Sequence, residues 1–128
     1  MSDERLASLR SSQSGRVWMI GNGPSLSTDI LESLSGEKTF AMNAISFIYP
    51  KTTWRPSFYL CVSSNVVRLD RQIFFWRSIA TGAPSFLLSE WRNSVFFDAP
   101  HVDWIELESK RSRAHRWSTD VSRYVGRC

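Results

Sequence analysis

The chain has 128 residues, 42% of them hydrophobic, with 16 basic and 12 acidic side chains for a formal charge of +4. That size suits one globular domain with a core of its own. No apolar run approaches the 18 residues of a membrane-spanning helix, Met1 to Arg10 lack the apolar stretch of a signal peptide, and Cys61 and Cys128 are too few for a disulfide framework. A cytoplasmic location is the expectation, with Cys61 as a buried thiol in an apolar strand.

Taken in chain order, residues 1–15 are a polar, Ser-rich extension, either frayed or a short helix. Arg16 to Ile20 reads as a first strand. Ser27 to Leu34 follows as a short helix, with Ser27 or Thr28 as its N-cap and Gly36 as its stop. Thr39 to Met42 reads as a second strand. Ala44 to Tyr49 reads as an apolar helical turn ended by Pro50. Ser57 to Val62 is a third strand. Val66 to Ala80 is a helix, with Val66, Leu69, Ile73, Phe74, Trp76 and Ile79 apolar and Arg68, Asp70, Arg71 and Arg77 on its wet side. Gly82-Ala83-Pro84 breaks it. Ser85 to Leu88 and Val102 to Leu107 are the fourth and fifth strands. Residues 16–108 thus form one α/β domain, and 109–128 form a basic C-terminal segment.

Short apolar strands alternating with helices predict an open, mostly parallel, Rossmann-like α/β sheet with flanking helices. Right-handed crossovers then gather the turns after strands one, two and three along one edge, where such sheets hold ligands. The first turn is the sharpest feature of the chain. Val17-Trp18-Met19-Ile20 runs into Gly21-Asn22-Gly23-Pro24-Ser25 and then at once into a helix. Glycines admit close approach by a ligand, and backbone N–H groups at such a corner favour an anion. The third glycine of a G-x-G-x-x-G fingerprint is replaced by Leu26, and no Gly-Lys-Ser/Thr follows, so the turn is neither a dinucleotide fingerprint nor a P-loop. An unliganded βα turn is the plain alternative. Asn22 and Asn43 each donate and accept, which suits ribose, phosphate or a base edge, although asparagine also favours turns. Ser25 has the geometry either to meet a phosphate or to cap the helix.

Gly-Asn-Gly-Pro-Ser-Leu after a first strand, with Met42-Asn43 ending a second, resembles the bacterial sialyltransferases that use CMP-sialic acid. It is equally similar to their wider kin of glycosyltransferase-like and DUF115 proteins, which include an archaeal pterin pyrophosphokinase. The resemblance covers about residues 16 to 70. It implies that Gly21, Asn22, Gly23, Ser25 and Asn43 hold a CMP-type nucleotide or nucleotide-sugar, with a further contact among Ser63, Ser64 and Asn65. It implies no metal and no cofactor. In that family a segment like Trp117-Ser118-Thr119-Asp120 leads into a Gly-Thr-Val-Thr-like helix start and a further strand, and a catalytic histidine follows later. The chain ends at Gly126-Arg127-Cys128, about where that motif would begin. The expectation is an incomplete sheet, a nucleotide-binding portion without its acceptor and catalytic half, inactive alone and with no catalytic residue to name.

The remaining groups read as architecture. His101 and His115 have no partner at metal-ligand spacing. Asp98, Asp103, Glu106 and Glu108 surround strand five; an acid pair of glycosidase type is conceivable, but a solvated edge is expected. Phe74, Phe75, Trp76 and Trp91 are expected in packing between helix and sheet. Residues 109–128 carry six basic side chains against Asp120 alone. They have no clean helical stripe, and specific nucleic-acid binding is not expected from them. Three functions remain in view: a CMP-sugar-dependent glycosyltransferase portion, a pterin pyrophosphokinase-like domain binding a nucleoside triphosphate, and a non-catalytic α/β binding module. For the first, a strand-end Asn43 predicts that Asn43→Ala costs affinity more than stability.

Overall fold

Among the described residues, parallel strands run in the order β1-β2-β3-β4-β5-β6, six in all. They are β1 (Trp18–Ile20), β2 (Thr39–Met42), β3 (Phe58–Cys61), β4 (Ser85–Leu88), β5 (Val102–Leu107) and β6 (Arg123–Tyr124). Helix α1 (Asp3–Ser12) precedes them, α2 (Thr28–Ser33) joins β1 to β2, and α3 (Gln72–Ile79) leads to β4. Among the described residues, 3-10 helices at Ile45–Lys51 and Ser89–Trp91 complete the elements. The computed structural model describes residues 3–63, 66, 72–92, 99–107 and 123–124.

The open parallel α/β sheet predicted from strand and helix alternation is the architecture found. Beyond the five predicted strands, β6 pairs with β5 through Glu106↔Arg123 and Leu107↔Tyr124. It lies inside the segment read as a basic tail, and its two residues carry no alternating pattern to reveal them. The strand order never reverses among the described residues, so β1 is the outer strand and no crevice forms at a reversal point.

Sequential order has a consequence for the two faces of the sheet. Right-handed crossovers that always step the same way carry their connections over the same face. Register and alternation put Ile20, Ala41, Tyr59, Cys61, Leu87 and Trp104 on one face, and all are buried. Leu31, Ile45, Ile48, Phe75 and Ile79 from the connecting helices join them in one core. The opposite face carries Met19, Phe40, Phe58, Leu60 and Phe86. Met19 is 60% exposed there, and Phe40, Phe58, Leu60 and Phe86 are half-buried. Phe40 stacks on Phe58 and on Phe86, with centroids 5.6 and 5.8 Å apart.

Several local expectations change. Pro50 lies within the 3-10 helix instead of ending it. Gln72 opens α3, and Leu69, Arg68, Asp70 and Arg71 lie outside the described residues. Ile73, read on the apolar side of that helix, is 53% exposed. The buried side of α3 is Phe75, Ser78 and Ile79. Trp91 is buried as expected, and Phe74 and Trp76 are half-buried. Asp103, read as part of a solvated acidic edge, is fully buried: β5 is paired on both sides, by β4 and β6, and is not an edge strand, although register with Phe86 puts Asp103 on the less covered face. Glu106 is exposed as that reading expected; Asp98 and Glu108 lie outside the described residues.

Candidate functional site

The corner after β1 is held together by short-range chemistry. Leu26 N donates to Gly23 O at 3.1 Å and closes the turn. Ser27, extended at φ −127°, accepts the Ile30 amide on its hydroxyl and caps α2. Capping therefore falls to Ser27, and Ser25 stands exposed beside it. Gly36, at φ +85°, lets the chain turn after α2.

Gly21, Asn22, Gly23, Pro24 and Ser25 are all exposed. Neither Gly21 nor Gly23 has a positive φ. A Cβ on Gly21 would meet nothing within 4 Å, and one on Gly23 would meet only Ser25 Oγ at 4.0 Å. The protein's own packing does not demand glycine at either place.

The two asparagines stitch successive strand ends together. Asn22 Nδ2 donates to Met42 O at 3.1 Å, which fastens the glycine turn to the end of β2. Asn43 follows Met42 in the left-handed region, at φ +52°. Its Oδ1 accepts from Val62 N at 3.2 Å and Ser63 N at 3.3 Å, which fastens the end of β2 to the end of β3. Its amide donates to Leu60 O at 2.9 Å, and its carbonyl accepts from the Tyr59 hydroxyl at 2.7 Å. The expectation that Asn43→Ala would cost stability little is therefore corrected, because the residue is a four-bond junction. A left-handed backbone with two amides to accept explains an asparagine there, since its short carboxamide tolerates that region and reaches neighbouring N–H groups.

Of the predicted site residues, the structure thus brings Gly21, Asn22, Gly23, Ser25, Asn43 and Ser63 to one edge of the sheet. Ser64 and Asn65 lie outside the described residues. Asn22 Oδ1 and Asn43 Nδ2 remain as polar atoms that none of these bonds uses.

Beneath the corner lies a buried phenol that the sequence reading missed. Tyr59 has no exposed surface, and burial drives its pKa far above that of an ordinary phenol, with the nearby Cys61 raising it further. Burial likewise pushes Tyr49 up to about 12, against smaller lowering effects of Ser78 and Arg55. The Arg55 guanidinium sits 4.3 Å above the Tyr49 ring. The apolar strand letters around Tyr59 were the available signal.

His101 Nε2 lies 2.9 Å from Ile79 O and ties the start of β5 to the end of α3. His115 lies outside the described residues. Among the described residues no three His, Cys, Asp or Glu side chains gather as a metal site, and no helix is long and apolar enough to cross a membrane. A pocket of about 390 Å³ lies at the opposite edge, lined by Glu32, Gly36, Glu37, Trp54 and Arg55 among others. No protein-family model, curated protein or solved structure matches the chain.

Proposed function

We propose that the β1–β2–β3 edge is a nucleotide site, and that the chain is the donor-binding portion of a glycosyltransferase-like protein of the CMP-sugar type. One observation carries the reading. The exposed Gly21–Ser25 turn uses two glycines where neither backbone angle nor internal crowding calls for them. Side chains absent there leave room for a ligand to approach the backbone closely. The CMP-type donor comes from the resemblance of the Gly-Asn-Gly-Pro-Ser-Leu turn and Met42-Asn43. Asn22 Oδ1 is an acceptor suited to a ribose hydroxyl or a base amino group, and Ser25 Oγ and Asn43 Nδ2 are donors suited to phosphate oxygens. Their role is to fix the donor in place, and no residue of this chain is assigned to the transfer step.

A pyrophosphokinase-like reading would need carboxylates that hold Mg²⁺ beside the turn. Asp29, exposed on α2, is the acid nearest in sequence. The glycosyltransferase reading asks for no such cluster and is preferred.

Calorimetric titration with CMP, CDP, UDP and GDP tests the proposal. CMP or CDP binding in preference to GDP supports it. No heat and no shift in melting temperature with any of the four at millimolar concentration would leave the corner as architecture alone.

A further inference from the structure

We infer that Phe47 is the stacking platform for the base of the bound nucleotide, an inference that rests on the nucleotide reading above. The polar residues of the corner, Gly21, Asn22, Gly23, Ser25, Asn43 and Ser63, offer no flat apolar surface. A nucleobase is held by a face as well as by its edge, and an aromatic ring supplies that face without regard to sequence.

Phe47 follows the corner closely in the chain and is exposed. Its backbone amide donates to Ala44 O at 3.0 Å, so it lies one 3-10 turn beyond Ala44, the residue after Asn43. At about 2 Å of rise per residue, that is roughly 6 Å along the helix from Ala44. Asn22 brings the glycine turn to the same strand end through Met42 O. Around Phe47 the helix is committed to the core. Ile45, Ser46, Ile48 and Tyr49 are all buried, and Ser46 Oγ donates to Phe74 O at 2.6 Å. Phe47 alone among these five points out, with 43% of its surface exposed.

A lone exposed apolar residue needs no explanation by itself. The comparison with Trp18 is what singles out Phe47. These two are the exposed large aromatics among the described residues. Trp18 opens β1, at the end of the strand away from the corner, and the Arg16 guanidinium covers its ring at 5.1 Å. Phe47 instead follows the end of β2 that carries Asn43.

The test measures binding of CMP and of ribose 5-phosphate, which lacks the base, to wild type, Phe47→Ala and Phe47→Trp. Phe47→Ala should weaken CMP binding by about 5- to 150-fold, the usual worth of one stacked base. It should leave ribose 5-phosphate binding and the melting temperature unchanged. Phe47→Trp should retain CMP. The inference is overturned if Phe47→Ala binds CMP within twofold of wild type, or if wild type binds CMP no better than ribose 5-phosphate. It is equally overturned if the alanine variant loses both ligands together with stability. Failure of wild type to bind any nucleotide removes the parent reading instead, so the two failures are distinct.

Discussion

Replacing Asn43 by alanine should destabilise the fold, whatever it does to a ligand. The side chain satisfies two backbone amides, those of Val62 and Ser63. Hydrogen bonds of this kind contribute about 0.5–1.5 kcal/mol each, so their loss costs roughly 1–3 kcal/mol. Alanine also meets the left-handed backbone at φ +52° less well than asparagine does, adding about 1 kcal/mol. The expected loss is therefore about 2–4 kcal/mol, a large part of the 5–15 kcal/mol typical of a domain. Urea unfolding followed by circular dichroism would measure it. Asn43→Gly restores the backbone freedom and should recover only the smaller share. Asn43→Asp keeps the acceptor and the left-handed preference, and should be the mildest of the three. An alanine variant within about 0.5 kcal/mol of wild type, the size of a neutral surface change, would refute the junction. So would an aspartate variant as unstable as the alanine one.

Further outcomes follow from the same geometry. Gly21→Ala and Gly23→Ala should fold with stability within about 0.5 kcal/mol of wild type and lose CMP affinity, while Gly36→Ala, at φ +85°, should cost about 1 kcal/mol; denaturation and calorimetry separate these, and unaltered CMP binding in both turn variants would contradict the site. Tyr49 and Tyr59 have folded pKa values raised above the ordinary 10.0, so their neutral forms stabilise the fold at lower pH. That contribution is full below about pH 10 and is lost as pH climbs toward 12, so unfolding and the 295 nm phenolate signal should rise together; two phenols titrating near pH 10 in the folded chain would contradict the burial. Met19→Lys, on the outer strand and the exposed face, should reduce concentration-dependent association measured by light scattering, because a charge on an unpaired apolar edge opposes strand-to-strand contact; an unchanged profile would mean that β1 takes no part in association.

The regular elements were legible because their patterns are local. Thr39–Met42, Ser85–Leu88 and Val102–Leu107 are bounded by glycine, proline or polar residues and need no tertiary knowledge. Ser27 and Gly36 mark the ends of α2 for the same reason. What the letters could not carry was the pairing of distant backbone. Asn43 looks like any strand-end asparagine until Val62 and Ser63 arrive from 19 and 20 residues away. Asp103 reads as one acid of an exposed edge until β6 pairs beyond β5 and makes β5 an interior strand. Ile73 fits a helical apolar pattern, but the helix turns Phe75 and Ile79 inward and leaves Ile73 outside. β6 was missed because two residues hold no period.

The candidate corner and the architecture below it are built from the same atoms, and this shapes how function can be dissected. Asn22 spends its amide nitrogen on Met42 O and keeps its oxygen; Asn43 spends its oxygen on two amides and keeps its nitrogen. Each side chain thus has one end fixed to a neighbouring strand and one end pointing away from that bond. A carboxamide anchored in this way loses little further rotamer freedom on meeting a ligand, which lowers the entropic cost of binding. The same anchoring means that truncating either asparagine loosens the strand ends as well as the contact. Affinity lost by Asn43→Ala would therefore not by itself assign a ligand role to Asn43. The glycine positions escape this coupling, because Gly21 and Gly23 touch nothing that a Cβ would disturb. Substitutions there change the space open to a ligand and leave the strand ties in place, so the turn, more than either asparagine, decides whether this edge binds a nucleotide.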